Sequence, residues 1–238
     1  SKNKKIFFIS KTQKAKKIIK ERKIKFSEFI NNNDFLKKIS QFKGDCFIID
    51  DKTCSIYFED IIKSKFKIVK KEDPSYLLKA VKNKTEIKNM INTHILDGVA
   101  LTKFIYWIKN INKKQINEVQ AQKKLESFRK LNKNYLYPSF NTIAGSGKNG
   151  AIVHYRAKKE SCKIIKKKDI FLCDSGGQYK YGTTDVTRTI CFSKPKIRIK
   201  NIFTKVLKGH IAVANTNLKK DSIGKKIDKR ARKFLKKS

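Results

Sequence analysis

One stretch of this sequence, residues 170–192 (IFLCDSGGQYKYGTTDVTRTICF), restricts the possible folds more than any other. It opens with four apolar residues, Ile170, Phe171, Leu172 and Cys173, which suit a buried strand. A turn-rich segment holding Gly176, Gly177 and Gly182 follows, and the chain returns as an alternating run. The expected product is a β-hairpin with one acid on each strand: Asp174 closes the outgoing strand and Asp185 opens the returning one. Side chains alternate along a strand, so Asp185, Thr187 and Thr189 share one face while Val186, Arg188 and Ile190 share the other. Two carboxylates on one face repel each other unless something positive sits between them. A hard divalent cation suits that place, because such ions prefer oxygen donors.

The rest of the chain divides into two regimes. Residues 1–73 read as a small α/β unit, with strands expected at 5–10, 46–50 and 66–69. Helices are expected up to Glu21, with Ala15, Ile18 and Ile19 inward, and over 34–42 through Phe35, Leu36, Ile39 and Phe42. The segment CSIYFEDII suits a strand or a helix equally. Asp50 and Asp51 follow a strand and read as its polar end in preference to a metal pair. Pro74 marks a joint. After it, Asn83 and Glu86 form a capping box for a long helix, with Ile87, Met90, Ile91, Ile95, Val99, Thr102, Ile105 and Ile108 on one stripe. His94 lies beside that stripe and reads as a packed residue, as does Trp107. Asn117 and Gln120 open a second capped helix carrying Val119, Ala121, Leu125, Phe128 and Leu131.

Six of the ten glycines then fall between Gly145 and Gly182, which announces strands and tight turns. The string GSGKNG fails as a phosphate loop, because Thr142 stands where the first glycine is needed and Asn149 where a hydroxyl should hold magnesium. It reads as a turn leading into a strand AIVHY, with Val153 and Tyr155 on one side and His154 on the other. Residues 202–214 and 223–235 have helical spacing, with His210 a structural residue of the first.

Charge needs weighing here, because 59 basic residues against 20 acidic ones give +39 and point toward polyanions. The kind of base argues otherwise. Only seven are Arg and 52 are Lys, and it is Arg whose planar fork reads phosphates and base edges. The lysines are spread along the whole chain in a sequence also rich in Ile and Asn, the pattern of AT-rich coding. No specific nucleic-acid partner is expected, only salt-sensitive, non-specific attraction. Five cysteines without a CxxC spacing suggest reduced, mostly buried thiols. The opening residues hold too short an apolar run for a signal peptide and no long apolar span follows, so the expected location is the cytoplasm and no membrane is expected as partner.

Taken together, DSGGQYKYGTTDVTRT, the preceding NTIAGSGKNGAIVHYRA and the following VLKGHIAVA closely resemble the Xaa-Pro aminopeptidases (aminopeptidase P) of the pita-bread metallopeptidase family. THILDGVALTKFIYWI resembles the first long helix of that family's catalytic domain. The resemblance implies an α/β creatinase-like N-terminal domain over residues 1–73, the second of two in the family. It implies the first half of an α+β pita-bread domain over 74–238. It also implies that Asp174 and Asp185 are ligands of two divalent ions, usually Mn2+, with Asp185 bridging them. His154 is implied to border the cleft and hydrogen-bond the peptide near the scissile bond. The implied activity is release of the N-terminal residue from peptides with proline second, by a homodimer in the full-length protein. The family pattern continues with an HGTGHG segment and two glutamates, whereas the histidines here are His94, His154 and His210. The expectation is therefore an internal fragment, inactive alone and a poor binder of two metal ions. A prolidase-type dipeptidase, or a non-catalytic pita-bread module binding proteins or nucleic acid, are the competing expectations.

Overall fold

In a computed structural model the described residues are 7–11, 16, 20–21, 29–111, 115–220 and 223–236. They fall into two units, residues 1–82 and 83–238.

The first unit is built from short parallel pairings and an apolar core. Strand β1 (Phe8–Ile9) pairs with β2 (Phe29–Ile30), and β3 (Cys46–Ile49) pairs with β4 (Lys67–Lys70), both parallel. Helices α1 (Phe35–Ser40) and α2 (Ile56–Lys63) supply the apolar side chains that cover them. Phe35, Ile39, Ile49, Ile62 and Phe66 form the buried cluster, and Phe35 meets Phe58 edge to face at 4.6 Å. The segment that suited either state is helix α2, because the Ser55 hydroxyl accepts the N–H of Phe58 and starts the turn. Asp50 belongs to the backbone: its two oxygens accept the N–H groups of Lys52 and Asp73. The helix expected around Ala15, Ile18 and Ile19 lies outside the described residues. Around the joint at Pro74 the chain forms a short helix, α3 (Ser75–Ala80).

The second unit begins with α4 (Lys84–Lys109), and both halves of its capping box are made: Asn83 Oδ1 accepts from Glu86 N–H and Glu86 Oε2 accepts from Asn83 N–H. The buried face agrees with the expected stripe only at its C-terminal end, where Ile108 is buried and Ile105 packs against the core. Ile87, Ile91, Ile95 and Val99 are exposed, and the helix buries Thr93, Asp97, Ala100, Leu101, Phe104 and Ile108. Apolar spacing alone misplaced the rest of the face because two polar residues belong to it. Thr93 returns its hydroxyl to the Asn89 carbonyl, and Asp97 is neutralised inside the unit.

Helix α5 (Glu118–Lys130) carries the second complete capping box, between Asn117 and Gln120. Two antiparallel sheets follow. One has β7 (Ile170–Ser175) at its centre, between β6 (Ile143–Ser146) and β10 (Val186–Cys191); the other orders β5 (Tyr135–Pro138), β8 (Gly177–Tyr179) and β9 (Gly182–Thr183). Phe171 and Cys173 on the inner face of β7 join Leu101, Phe104, Ala121, Leu125, Ala144 and Ile190 in one core. Gly176 lets the chain step from one sheet to the next, since a Cβ there would lie 1.9 Å from the Thr184 carbonyl oxygen. Helices α6 (Ile197–Ala214) and α7 (Gly224–Arg232) close the described chain, with His210 exposed on α6. Only Cys173 among the five cysteines is buried, so the expectation of mostly buried thiols fails: Cys46 is exposed and the others are half-buried.

Candidate metal centre

The expected antiparallel pairing forms between β7 and β10, with β8 and β9 of the other sheet between them in the chain and Asp185 just ahead of β10 rather than on it. Thr187 stands opposite Asp174 and Val186 opposite Ser175, so Asp174 and Thr187 share a face and Ser175 turns inward. Asp174 is half-buried, Asp185 is exposed just before β10, and Ile143 of β6 flanks Asp174 on its other side. Thr187 Oγ1 donates to Asp174 Oδ1 at 2.8 Å, which holds the carboxylate and leaves its second oxygen open. In a chain of net charge +39, neither aspartate has a lysine or arginine at ion-pair distance among the described residues. Two carboxylates with hard oxygen donors, held on one hairpin and free of side-chain cations, fit a divalent ion. Among the described residues no group of three or more His, Cys, Asp or Glu could hold a metal.

His154 sits on neither hairpin strand. The expected strand AIVHY is absent; β6 runs into a 3-10 turn, Gly147–Ala151, and the chain turns again through N–H donation from Tyr155 to the Ile152 carbonyl. His154 adopts φ 55 and is exposed, and no other non-glycine residue has positive φ among the described residues. A left-handed backbone at a residue with a Cβ costs on the order of 1–3 kcal/mol and persists only where the surroundings enforce it. On either side of His154, the side chains of Asn149 and Tyr155 both end on Glu118. No hydrogen bond joins His154 to either aspartate among the described residues. His94, expected as a packed residue, is instead exposed, with Nδ1 2.9 Å from the Met90 carbonyl oxygen of its own helix.

Two buried carboxylates that pattern reading passed over organise the surroundings. Asp97 is fully buried and takes a bidentate pair from Arg129: Nε donates to Oδ1 at 2.7 Å and Nη2 to Oδ2 at 3.1 Å. Tyr179 Oη donates to the same Asp97 Oδ1, and Arg129 Nη2 also reaches Ser175 Oγ at 3.0 Å. Helices α4 and α5 are thereby tied to the residue next to Asp174. Burial first, and the bond to Asp97 second, push the Tyr179 phenol well above its usual range. Glu118, also fully buried, accepts from Ser146 N–H, Lys163 N–H, Asn149 Nδ2 and Tyr155 Oη. Burial pushes the Tyr155 phenol up to about 12, helped by Glu118. Burial likewise raises the Cys173 thiol to about 11, which makes it an inert core residue. Neither Asp97 nor Glu118 stands out in the sequence, since a single acid on a helix usually faces water.

This sheet, with its long capped helix and its paired aspartates, is the architecture of the pita-bread metallopeptidases. The profile of Metallopeptidase family M24 matches residues 88–238, and the chain belongs to that family. Within the family it is similar to Xaa-Pro aminopeptidases. It is 47% identical over 160 residues to a probable Xaa-Pro aminopeptidase P of Paracoccidioides brasiliensis, a match covering 66% of this chain and 26% of that protein. The chain thus spans about a quarter of that curated relative's length. An X-prolyl aminopeptidase of Caenorhabditis elegans, described as a cytosolic enzyme with a di-nuclear active site, superposes with a TM-score of 0.77 at 26% identity. That superposition covers 94% of this chain and 37% of the other. A prolidase of Pyrococcus furiosus shares the fold, with a TM-score of 0.74 at 22% identity over 96% of this chain and 65% of its own. No helix among the described residues is long and apolar enough to cross a membrane.

Proposed function

We propose that this chain contributes to a metal-dependent Xaa-Pro aminopeptidase in which Asp174 and Asp185 would help to hold two divalent ions. The observation that carries the proposal is membership of family M24, supported by Asp174 on β7 and Asp185 just before β10, neither with a lysine or arginine at ion-pair distance among the described residues. Manganese is the ion of choice, and the protein acts in the cytoplasm as a homodimer. Residues 1–73 serve as the creatinase-like domain and 74–238 as the first part of the catalytic domain. Among the described residues no group of three or more candidate ligands forms.

Each side chain has a task in that reaction. Thr187 fixes one oxygen of Asp174 so that the other is presented in a constant direction. Asp185, exposed just before β10, has no lysine or arginine at ion-pair distance among the described residues. His154, held out on its turn, hydrogen-bonds the peptide near the scissile bond. The ions, when bound, supply hydroxide near neutral pH and polarise the carbonyl. Proline leaves the scissile nitrogen without an N–H, so recognition falls on ring shape, the flanking carbonyl and the free amino terminus.

The test is hydrolysis by the intact, Mn2+-loaded protein of Xaa-Pro tripeptides, Xaa-Pro dipeptides and matched peptides without proline. Cleavage of the tripeptides is expected; cleavage of the dipeptides alone would make it a prolidase. Loss of proline selectivity, or no hydrolysis with metal bound, would overturn the assignment.

A further inference from the structure

We infer that Glu118 is a positioning residue for His154, acting through Tyr155 and Asn149. The inference rests on the substrate role proposed for His154 and adds the device that holds it. Glu118 is the first residue of α5, where the helix dipole favours a negative charge, and its carboxylate is sealed from solvent. Oε1 accepts from the N–H of Ser146, the last residue of β6, at 2.7 Å. Oε2 accepts from Tyr155 Oη at 2.7 Å and from Lys163 N–H at 2.9 Å. Asn149 Nδ2 lies 3.0 and 3.1 Å from the two oxygens and 2.8 Å from Tyr155 Oη.

The chain from Ser146 to Lys163 is therefore gathered onto one buried anion at both ends and at two points between. The exposed stretch carrying His154 is confined between two of those points, Asn149 and Tyr155. Backbone contact tightens the base of the loop, since a Cβ on Gly145 would lie 2.7 Å from Gly150 Cα. An exposed histidine in left-handed backbone, with no hydrogen bond of its own among the described residues, gains nothing from that conformation unless a ligand meets it. The buried carboxylate enforces the conformation at a distance, and Tyr155, next to His154 in the chain, transmits it.

The test uses the intact, metal-loaded protein with Glu118→Gln, Tyr155→Phe and His154→Ala, singly and combined. Tyr155→Phe removes one hydroxyl and leaves Glu118 its other donors, so it answers the question even if Glu118→Gln does not fold. Each of the two is expected to lower kcat/KM for an Xaa-Pro tripeptide by about 10- to 100-fold, the range for groups that orient a reacting residue. In a His154→Ala background neither is expected to lower it further. Imidazole 15N–1H spectra should show the His154 resonance displaced by either substitution while those of His94 and His210 stay in place. Equal losses with and without His154, or an unmoved His154 resonance, would overturn the inference. If His154→Ala alone leaves kcat/KM unchanged, the substrate role of His154 falls. The spectra then decide the positioning role by themselves, a displaced resonance supporting it and an unmoved one rejecting it.

Discussion

Both units have an apolar core, but among the described residues only the second buries polar side chains beside it. Among the described residues, every buried polar or charged side chain lies in the second unit: Thr93, Asp97, Glu118, Arg129, Ser146, Asn149, Ser175 and Thr184. The first unit buries Ile30, Phe35, Ile39, Ile49, Ile62 and Phe66 and no polar side chain. Apolar packing is non-directional and tolerates rearrangement, whereas a buried carboxylate demands donors at fixed distances. The difference teaches where geometry matters. The unit carrying the candidate metal ligands is the one that accepts the desolvation of Asp97 and Glu118 in exchange for fixed positions around the hairpin and its neighbouring turn.

Breaking the polar core should have the largest effect. Arg129→Ala strands the Asp97 carboxylate in the interior and should cost the second unit about 3–5 kcal/mol, read as a loss of denaturant midpoint. A cost below 1 kcal/mol would mean that Asp97 finds water and that the contrast between the units is overdrawn. At the hairpin, Asp174→Asn should weaken Mn2+ binding to the intact protein by about 100-fold or more, measured by calorimetry, with the fold unchanged in circular dichroism. Unaltered binding would remove Asp174 from the site.

Alkaline pH probes the same contrast more gently. The phenols of Tyr135 and Tyr155, both in the second unit, are pushed from 10.0 up to about 12, chiefly by burial. The folded state thus holds protons that the unfolded chain releases, so this stability is complete below pH 10 and is lost as pH rises toward 12. The denaturant midpoint of the second unit should fall across that window, and Tyr155→Phe should flatten part of the fall. An identical slope in the variant would deny Tyr155 its share. The smallest effect is expected in the apolar core: Ile62→Val should cost the first unit about 0.5–1.5 kcal/mol, with no change in metal binding.

Much of this was legible in the residues. Both capping boxes, at Asn83–Glu86 and Asn117–Gln120, closed as the spacing predicts, because a cap is a local transaction among four residues. The pairing of β7 with β10 was legible for a similar reason: glycines and alternation specify a register that needs no distant partner. The buried face of α4 was legible only at its C-terminal end, because Thr93 and Asp97 look like solvent residues until Arg129 and Tyr179 are brought to Asp97. The strand expected at AIVHY failed likewise, since its alternation was outweighed by the pull of Glu118 on Asn149 and Tyr155.

The hairpin, its two aspartates and the family they announce were thus determined by the sequence itself, through short-range rules of alternation, turn chemistry and capping. Only the tertiary structure decided which acids are buried, which face of α4 turns inward and how His154 is held. Those outcomes depend on donors 28 to 82 residues away in the chain, such as Ser146 for Glu118 and Tyr179 for Asp97. A buried charge is permitted only where such donors converge, and convergence is a property of the folded chain.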